Sequence, residues 1–152
     1  MMRFSDIDGN PVMDTTSALT VGKVGGLVVD PKTRRVVALG VKKSKGPGDT
    51  LLWDALKAIG PDAVTVDSVD RLTDPPAELV ERAKVDVRLI GHRVLTDHGR
   101  DLGQVRDVEF DPSDGTVVTL MLKDVFVDGD RLLGIGSYAV VVRAEGPQPH
   151  AP

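Results

Sequence analysis

The sequence predicts an all-β fold with minor α content, built from one small unit used twice. Three observations carry this. First, residues 22–41 (GKVGGLVVDPKTRRVVALGV) align without a gap to residues 103–122 (GQVRDVEFDPSDGTVVTLML), 81 positions later. Gly22, Val24, Asp30, Pro31, Val36, Val37 and Leu39 each meet the identical residue in the second copy, and a self-match of this kind marks a repeated structural unit. Second, apolar residues alternate with period two after each Asp-Pro, the signature of a strand with one face on a core. Third, the sixteen Gly and ten Pro punctuate the chain too often for long helices.

Along the chain, residues 1–8 read as a short extended lead and Gly9-Asn10-Pro11 as a turn. Residues 14–18 are polar and loop-like. Residues 19–29 suit a bent strand, with Gly22, matched by Gly103, at a bulge or a positive-φ position. Asp30-Pro31 and Asp111-Pro112 open hairpin turns, because Asp accepts hydrogen bonds from nearby backbone N–H groups and Pro presets φ. In the following strand, Val37, Leu39 and Val41 are expected to face inward, as are Val118, Leu120 and Leu122 in the second copy. Lys42, Lys43 and Lys45 lead into Gly46-Pro47-Gly48-Asp49, expected as a solvated hairpin tip with lysines guarding an edge. A short strand at 50–53, one helical turn at 54–59 capped by Asp54, and a strand at 62–67 complete the first copy. The same end recurs at 135–142 against 59–66, now 76 positions apart, because the first copy has a longer connection around Trp53. Between the copies, Asp74-Pro75-Pro76 opens a two-turn helix over 77–84. The expected organisation is a first unit at 1–68, a linker with a short helix at 69–86, a second unit at 87–144, and a disordered Pro-rich tail at 145–152.

Composition excludes several functions. There is no cysteine, so no disulfide, thiolate zinc site or thiol nucleophile can form, and a reducing compartment fits. The N-terminal MMRFSDIDGNPV lacks a signal-peptide core, and no apolar run approaches the roughly 18–20 residues of a membrane span. The expectation is a soluble cytoplasmic protein. Aromatic residues make up 3% of the chain, so the core must rest on Val, Leu, Ile and Ala. The net charge of −4 is a poor basis for sequence-independent nucleic-acid binding, which needs clustered Lys and Arg.

Catalytic motifs do not assemble. His92, His98 and His150 show no metal-ligand spacing, and Asp97-His98-Gly99-Arg100-Asp101 reads as a hairpin loop. The sequence around Lys42 lacks the phosphate-loop order. No catalytic, metal or cofactor-binding residue is assigned, and no cofactor is expected. The residues singled out for partner or anion contact are Lys42, Lys43, Lys45 and Trp53; Trp53 also suits packing between the repeats.

The segments VLTD…GRDLGQVRDVEFD, GTVVTLML at 115–122 and GIGSYAVVV at 134–142 resemble the PRC-barrel. The likeness extends over residues 9–66 and 91–142. That domain is shared by the photosynthetic reaction-centre H subunit and a ribosome-maturation factor that binds a small-subunit ribosomal protein. The tandem arrangement resembles bacterial, actinobacterial-type members. The resemblance implies two tandem small β-barrels that act through protein contacts, with no family catalytic residues to carry over. This sequence departs from both relatives in the H subunit's membrane helix and the maturation factor's N-terminal domain, so neither role is expected to carry over automatically. The expected function is a non-enzymatic adaptor or scaffold with a protein partner, the halves packing together or exchanging a strand, and a homodimer through a barrel face. The alternative is an RNA- or ribosome-associated module using the basic Lys42/Lys43/Lys45 hairpin. A small-ligand or enzymatic barrel is the third reading.

Overall fold

The Asp-Pro turns fold each copy into its central hairpin. The computed structural model describes residues 1–84 and 88–145. In the first copy, β3 (Leu19–Asp30) and β4 (Arg35–Lys42) are antiparallel. Asp30 Oδ1 accepts the Lys32 N–H at 2.9 Å, and the Arg34 N–H donates to the Asp30 carbonyl at 2.7 Å. In the second copy, Asp111 Oδ1 accepts the Ser113 N–H at 2.8 Å, and Gly115 closes the turn onto the Asp111 carbonyl at 2.8 Å. Both turns end in a left-handed residue, Arg34 (φ 56°) or Gly115 (φ 82°).

A bulge corrects the expected inward face. The register passes from Val28↔Ala38 to Val29↔Val36, skipping Val37, and from Glu109↔Thr119 to Phe110↔Val117, skipping Val118. One extra residue reverses the alternation beyond it. Val36 and Val117 therefore enter the core, while Val37 and Val118 are half-buried. Leu39, Val41, Leu120 and Leu122 are buried, as their spacing predicts.

Around the hairpin, the first half adds β1 (Met2–Arg3), α1 (Phe4–Ile7), β2 (Pro11–Asp14), β5 (Thr50–Leu52), β6 (Ala58–Ile59), β7 (Val64–Val66) and β8 (Leu72–Thr73). Seven of these strands form one sheet in the order β6-β7-β2-β3-β4-β5-β8. The second half supplies β9 (Arg93–Thr96), β10 (Asp101–Gln104), β11 (Asp107–Phe110), β12 (Val117–Met121), β13 (Phe126–Asp128), β14 (Leu132–Ile135) and β15 (Val140–Val142). Here the sheet divides into β10-β9-β15-β14 and β1-β11-β12-β13. The long β3 runs unbroken through Gly25-Gly26, whereas Val105-Arg106 separates β10 from β11.

Four expectations change. The fold is mostly β with one short α-helix, but the described residues form open sheets and no closed barrel. The described part of the linker, up to residue 84, does not form the predicted helix: Leu72 is buried opposite Leu51, which draws it into the sheet as β8. Beyond it, Ala77–Leu79 forms only a 3₁₀ turn. The turn predicted at 54–59 is likewise a 3₁₀ turn, Trp53–Ala55, with Leu52 rather than Asp54 at its N-cap, followed by β6. The lead at 1–8 is a two-residue strand and a helical turn, closed by the Asp6 carboxylate on the Arg3 N–H at 3.0 Å. The tail expected to be disordered lies, but for Glu145, outside the described residues.

The halves share one core. Buried Ile7, Leu39 and Leu51 belong to the same apolar cluster as Phe110, Leu120 and Val127. β1 leaves the first half to pair with β11, Met2 opposite Phe110 and Arg3 opposite Glu109. Two backbone bonds join the central hairpins: Val36 N–H to Gly115 O at 2.8 Å and Val117 N–H to Arg34 O at 2.9 Å. The Arg34 Nε–H adds a bond to the Leu132 carbonyl at 2.9 Å. Trp53 meets Phe110 edge-on, with ring centroids 6.2 Å apart.

This continuity should make the halves unfold together. Leu120 is fully buried, so Leu120→Ala should cost about 2–5 kcal/mol. Although Leu120 lies in the second half, Trp53 fluorescence from the first half should report the same shifted urea midpoint as far-UV circular dichroism. An unshifted Trp53 transition would show that the halves are uncoupled.

Candidate interaction surfaces

The repeated glycine has a different reason in each copy. Gly22 and Gly103 both sit at register shifts, against β2 and β9 respectively. Gly103 takes φ 104°. Gly22 does not adopt a positive φ; a Cβ there would lie 2.4 Å from Val41 Cγ1. Close packing excludes a side chain at Gly22, and backbone conformation disfavours one at Gly103.

Asp14, predicted to lie in a polar loop, is a buried carboxylate at the end of β2. Its Oδ1 accepts the Thr16 and Ser17 N–H groups at 2.8 and 3.1 Å, and Oδ2 accepts the Val69 N–H at 3.0 Å. It thereby ties the β2–β3 corner to the chain leaving β7. The Ser17 N–H is the strongest influence holding its pKa below the usual carboxylate value, with Thr16 and Val69 adding to it and burial opposing. In the second half Thr96 takes this place, its Oγ1 accepting the Arg100 N–H at 3.1 Å.

The lysine segment joins the antiparallel β4 and β5 with Lys42, Lys43 and Lys45 exposed, and it is folded back on itself. Ser44 Oγ donates to Gly48 O and accepts the Gly46 N–H at 3.1 Å. The loop presses on β8 so closely that a Cβ on Gly48 would lie 2.1 Å from the Thr73 carbonyl carbon. Lys42 and Lys43 line a cleft of about 710 Å³ beside β3; Lys45 is exposed and does not line it. Lys84 and Arg88 line the cleft too. Arg88 was not singled out from the sequence. Its signal was the Gly25-Gly26 pair, which the second copy replaces with Arg106-Asp107.

Trp53 is half-buried against Phe110 and the backbone turn at Gly115, which places it between the halves. His92 contacts the Gly136 carbonyl, and His98 lies 3.8 Å from Asp97. Among the described residues, no three His, Cys, Asp or Glu side chains converge to hold a metal, and no helix is long and apolar enough to cross a membrane.

The copies differ most at one edge. β5 lies between β4 and β8, whereas β13 pairs among the described residues only with β12. Phe126 on β13 is 66% exposed, and Val125 beside it is also exposed. Asp124 and Asp128 flank them and are exposed. The edge strand β14 presents exposed Leu133, and Tyr138 stands out beyond it, under the Arg93 guanidinium at 5.4 Å.

These features define a duplicated β-module whose distinctive residues lie on edges and clefts. The PRC-barrel domain family matches residues 1–72 and again 86–145, and the chain belongs to that family as a tandem pair. No curated protein matches the chain.

The Asp14 cage sets a pH dependence. Its folded pKa lies below the ordinary value of 3.8, so the stabilisation is complete above that value and is lost as pH falls through the lowered one. Asp14→Asn should therefore destabilise most near neutral pH, the gap from wild type narrowing below about pH 4. Urea unfolding across pH checks this; a gap independent of pH would show that the charge has no part in it.

Proposed function

We propose that this protein is a non-enzymatic, cytoplasmic interaction module that recruits a protein partner by adding the partner's extended segment to β13. The observation that carries the reading is the β13 edge, open among the described residues, with exposed Phe126, at the position where β8 covers β5 in the first half. An exposed apolar edge is either protected or used, and strand addition is a recurring mode of peptide recognition.

The first half supplies a template for the guest. In β8, Leu72 stands opposite Leu51 and Thr73 opposite Thr50. Transferred to the second half, those positions are Val127 and Phe126, and Arg71, preceding Leu72, falls beside Asp128. The favoured guest is thus basic, then aliphatic, then β-branched. Self-addition is disfavoured: an antiparallel copy of Asp124-Val125-Phe126-Val127-Asp128 centred on Phe126 would set Asp124 against Asp128, and like charges directly opposite repel. The acidic flanks support a basic partner strand.

An extended peptide with an Arg-Leu-Thr core should shift the amide resonances of residues 125–128, and replacing its Arg with Glu should weaken binding several-fold. Phe126→Asp, at an exposed position, should abolish the shifts without changing the melting temperature. A nuclease-treated pull-down with wild type and this variant then names the partner. Capture that survives Phe126→Asp, with no response at β13, would exclude this edge; ribosomal proteins lost on nuclease treatment would favour the RNA-associated reading.

A further inference from the structure

Among the described residues, cations outnumber carboxylates in the cleft beside β3. Lys42, Lys43, Lys84 and Arg88 line it with two carboxylates, Asp49 and Asp74. Lys84 pairs with Glu81 at 3.0 Å. Lys42, Lys43 and Arg88 make no ion pair among the described residues. Arg88 makes one long contact, from Nη1 to the Gly25 carbonyl at 3.5 Å.

Glycine lets these cations lie on the sheet. A Cβ on Gly25 would stand 2.5 Å from Lys42 Cγ, and one on Gly26 would stand 3.2 Å from Arg88 Cζ. Both side chains therefore lie across bare backbone. The second copy has Arg106, Asp107 and Met121 where the first has Gly25, Gly26 and Gly40. Asp107 is also occupied, accepting the Ser5 N–H at 3.1 Å and its hydroxyl. The glycine floor of the cationic cleft therefore belongs to the first copy, and Arg88 reaches it from the start of the second.

We infer that this cleft binds a small phosphorylated molecule, with the Arg88 guanidinium forked onto a phosphate and Lys42 and Lys43 supplying further positive charge. A concave site lined by unpaired cations raises the local concentration of anions. The planar guanidinium matches phosphate geometry. The volume of about 710 Å³ falls within the roughly 300–1,000 Å³ of small-molecule sites. Nucleic acid is a poorer fit, because the charge is gathered in a cleft rather than along a stripe, Lys45 lies outside it, and the chain carries −4. This site is independent of the β13 edge.

The test uses the full chain in buffer free of phosphate and sulfate, titrated with inorganic pyrophosphate and separately with ATP, and followed by amide resonances. The expected result is saturable one-to-one binding that shifts Gly25, Gly26 and Gly40 and weakens with salt. Arg88→Gln should reduce affinity about tenfold or more, and Lys42→Gln with Lys43→Gln similarly. Phe126→Asp should leave binding unchanged. Melting temperatures establish that the variants are folded. No shift at these glycines at about 10 mM ligand, affinity below the range for even weak small-molecule sites, overturns the inference. So does undiminished binding by the folded variants. An RNA oligomer that displaces pyrophosphate from these residues, with a salt dependence spanning several phosphates, would replace the small molecule with nucleic acid.

Discussion

Phe110 belongs to both halves of the protein, and the rest of the structure depends on that shared burial. It is fully buried, with Met2 paired across from it and Trp53 edge-on to its ring. A unit of about 60–70 residues buries too little surface to be comfortably stable alone. Here each half completes the other: the first sends β1 onto β11, and the second places Gly115 and Val117 against Arg34 and Val36. The Trp53–Phe110 contact fills the seam where these links converge. In a chain so poor in aromatics, it joins the sole tryptophan to one of three phenylalanines.

Within that frame the copies keep the same skeleton. Gly9 and Gly91 both take φ above 80°, and their N–H groups reach Val24 O and Val105 O at the same 2.8 Å. β2 runs parallel to β7 as β9 does to β15. Apart from the break between β10 and β11, the divergence described here lies at the margins. The first copy covers its β5 edge with β8 and leaves glycine and cationic side chains around a cleft; the second fills that floor and, among the described residues, leaves β13 open. A skeleton fixed by backbone hydrogen bonds and a common core permits this, because edge and loop residues change without disturbing the packing that holds the two halves together.

Much of the skeleton was legible in local chemistry. Asp30 and Asp111 accept the backbone bonds expected of turn-opening residues, and Leu39 and Leu120 are buried where alternation placed them. Val37 and Val118 were misplaced, because a bulge changes which face a residue meets and is set by the register with the partner strand. Residues 77–84 carry a helical pattern, yet Leu72 is drawn into the sheet first and only short turns follow. Lys42 and Lys43 were legible as a basic pair. Their convergence with Arg88, some 45 residues away, was not.

The sequence by itself determined the duplication, the central hairpins and much of the core, because repeated identities, turn chemistry and period-two alternation act over a few residues. Tertiary structure alone decided that β1 crosses to the other half, that among the described residues the sheets remain open and β5 is covered while β13 is not, and where the cationic cleft forms. Those outcomes depend on which edges and side chains distant in the chain meet, and on which arrangement buries the shared apolar surface while satisfying its backbone. No local pattern encodes that choice.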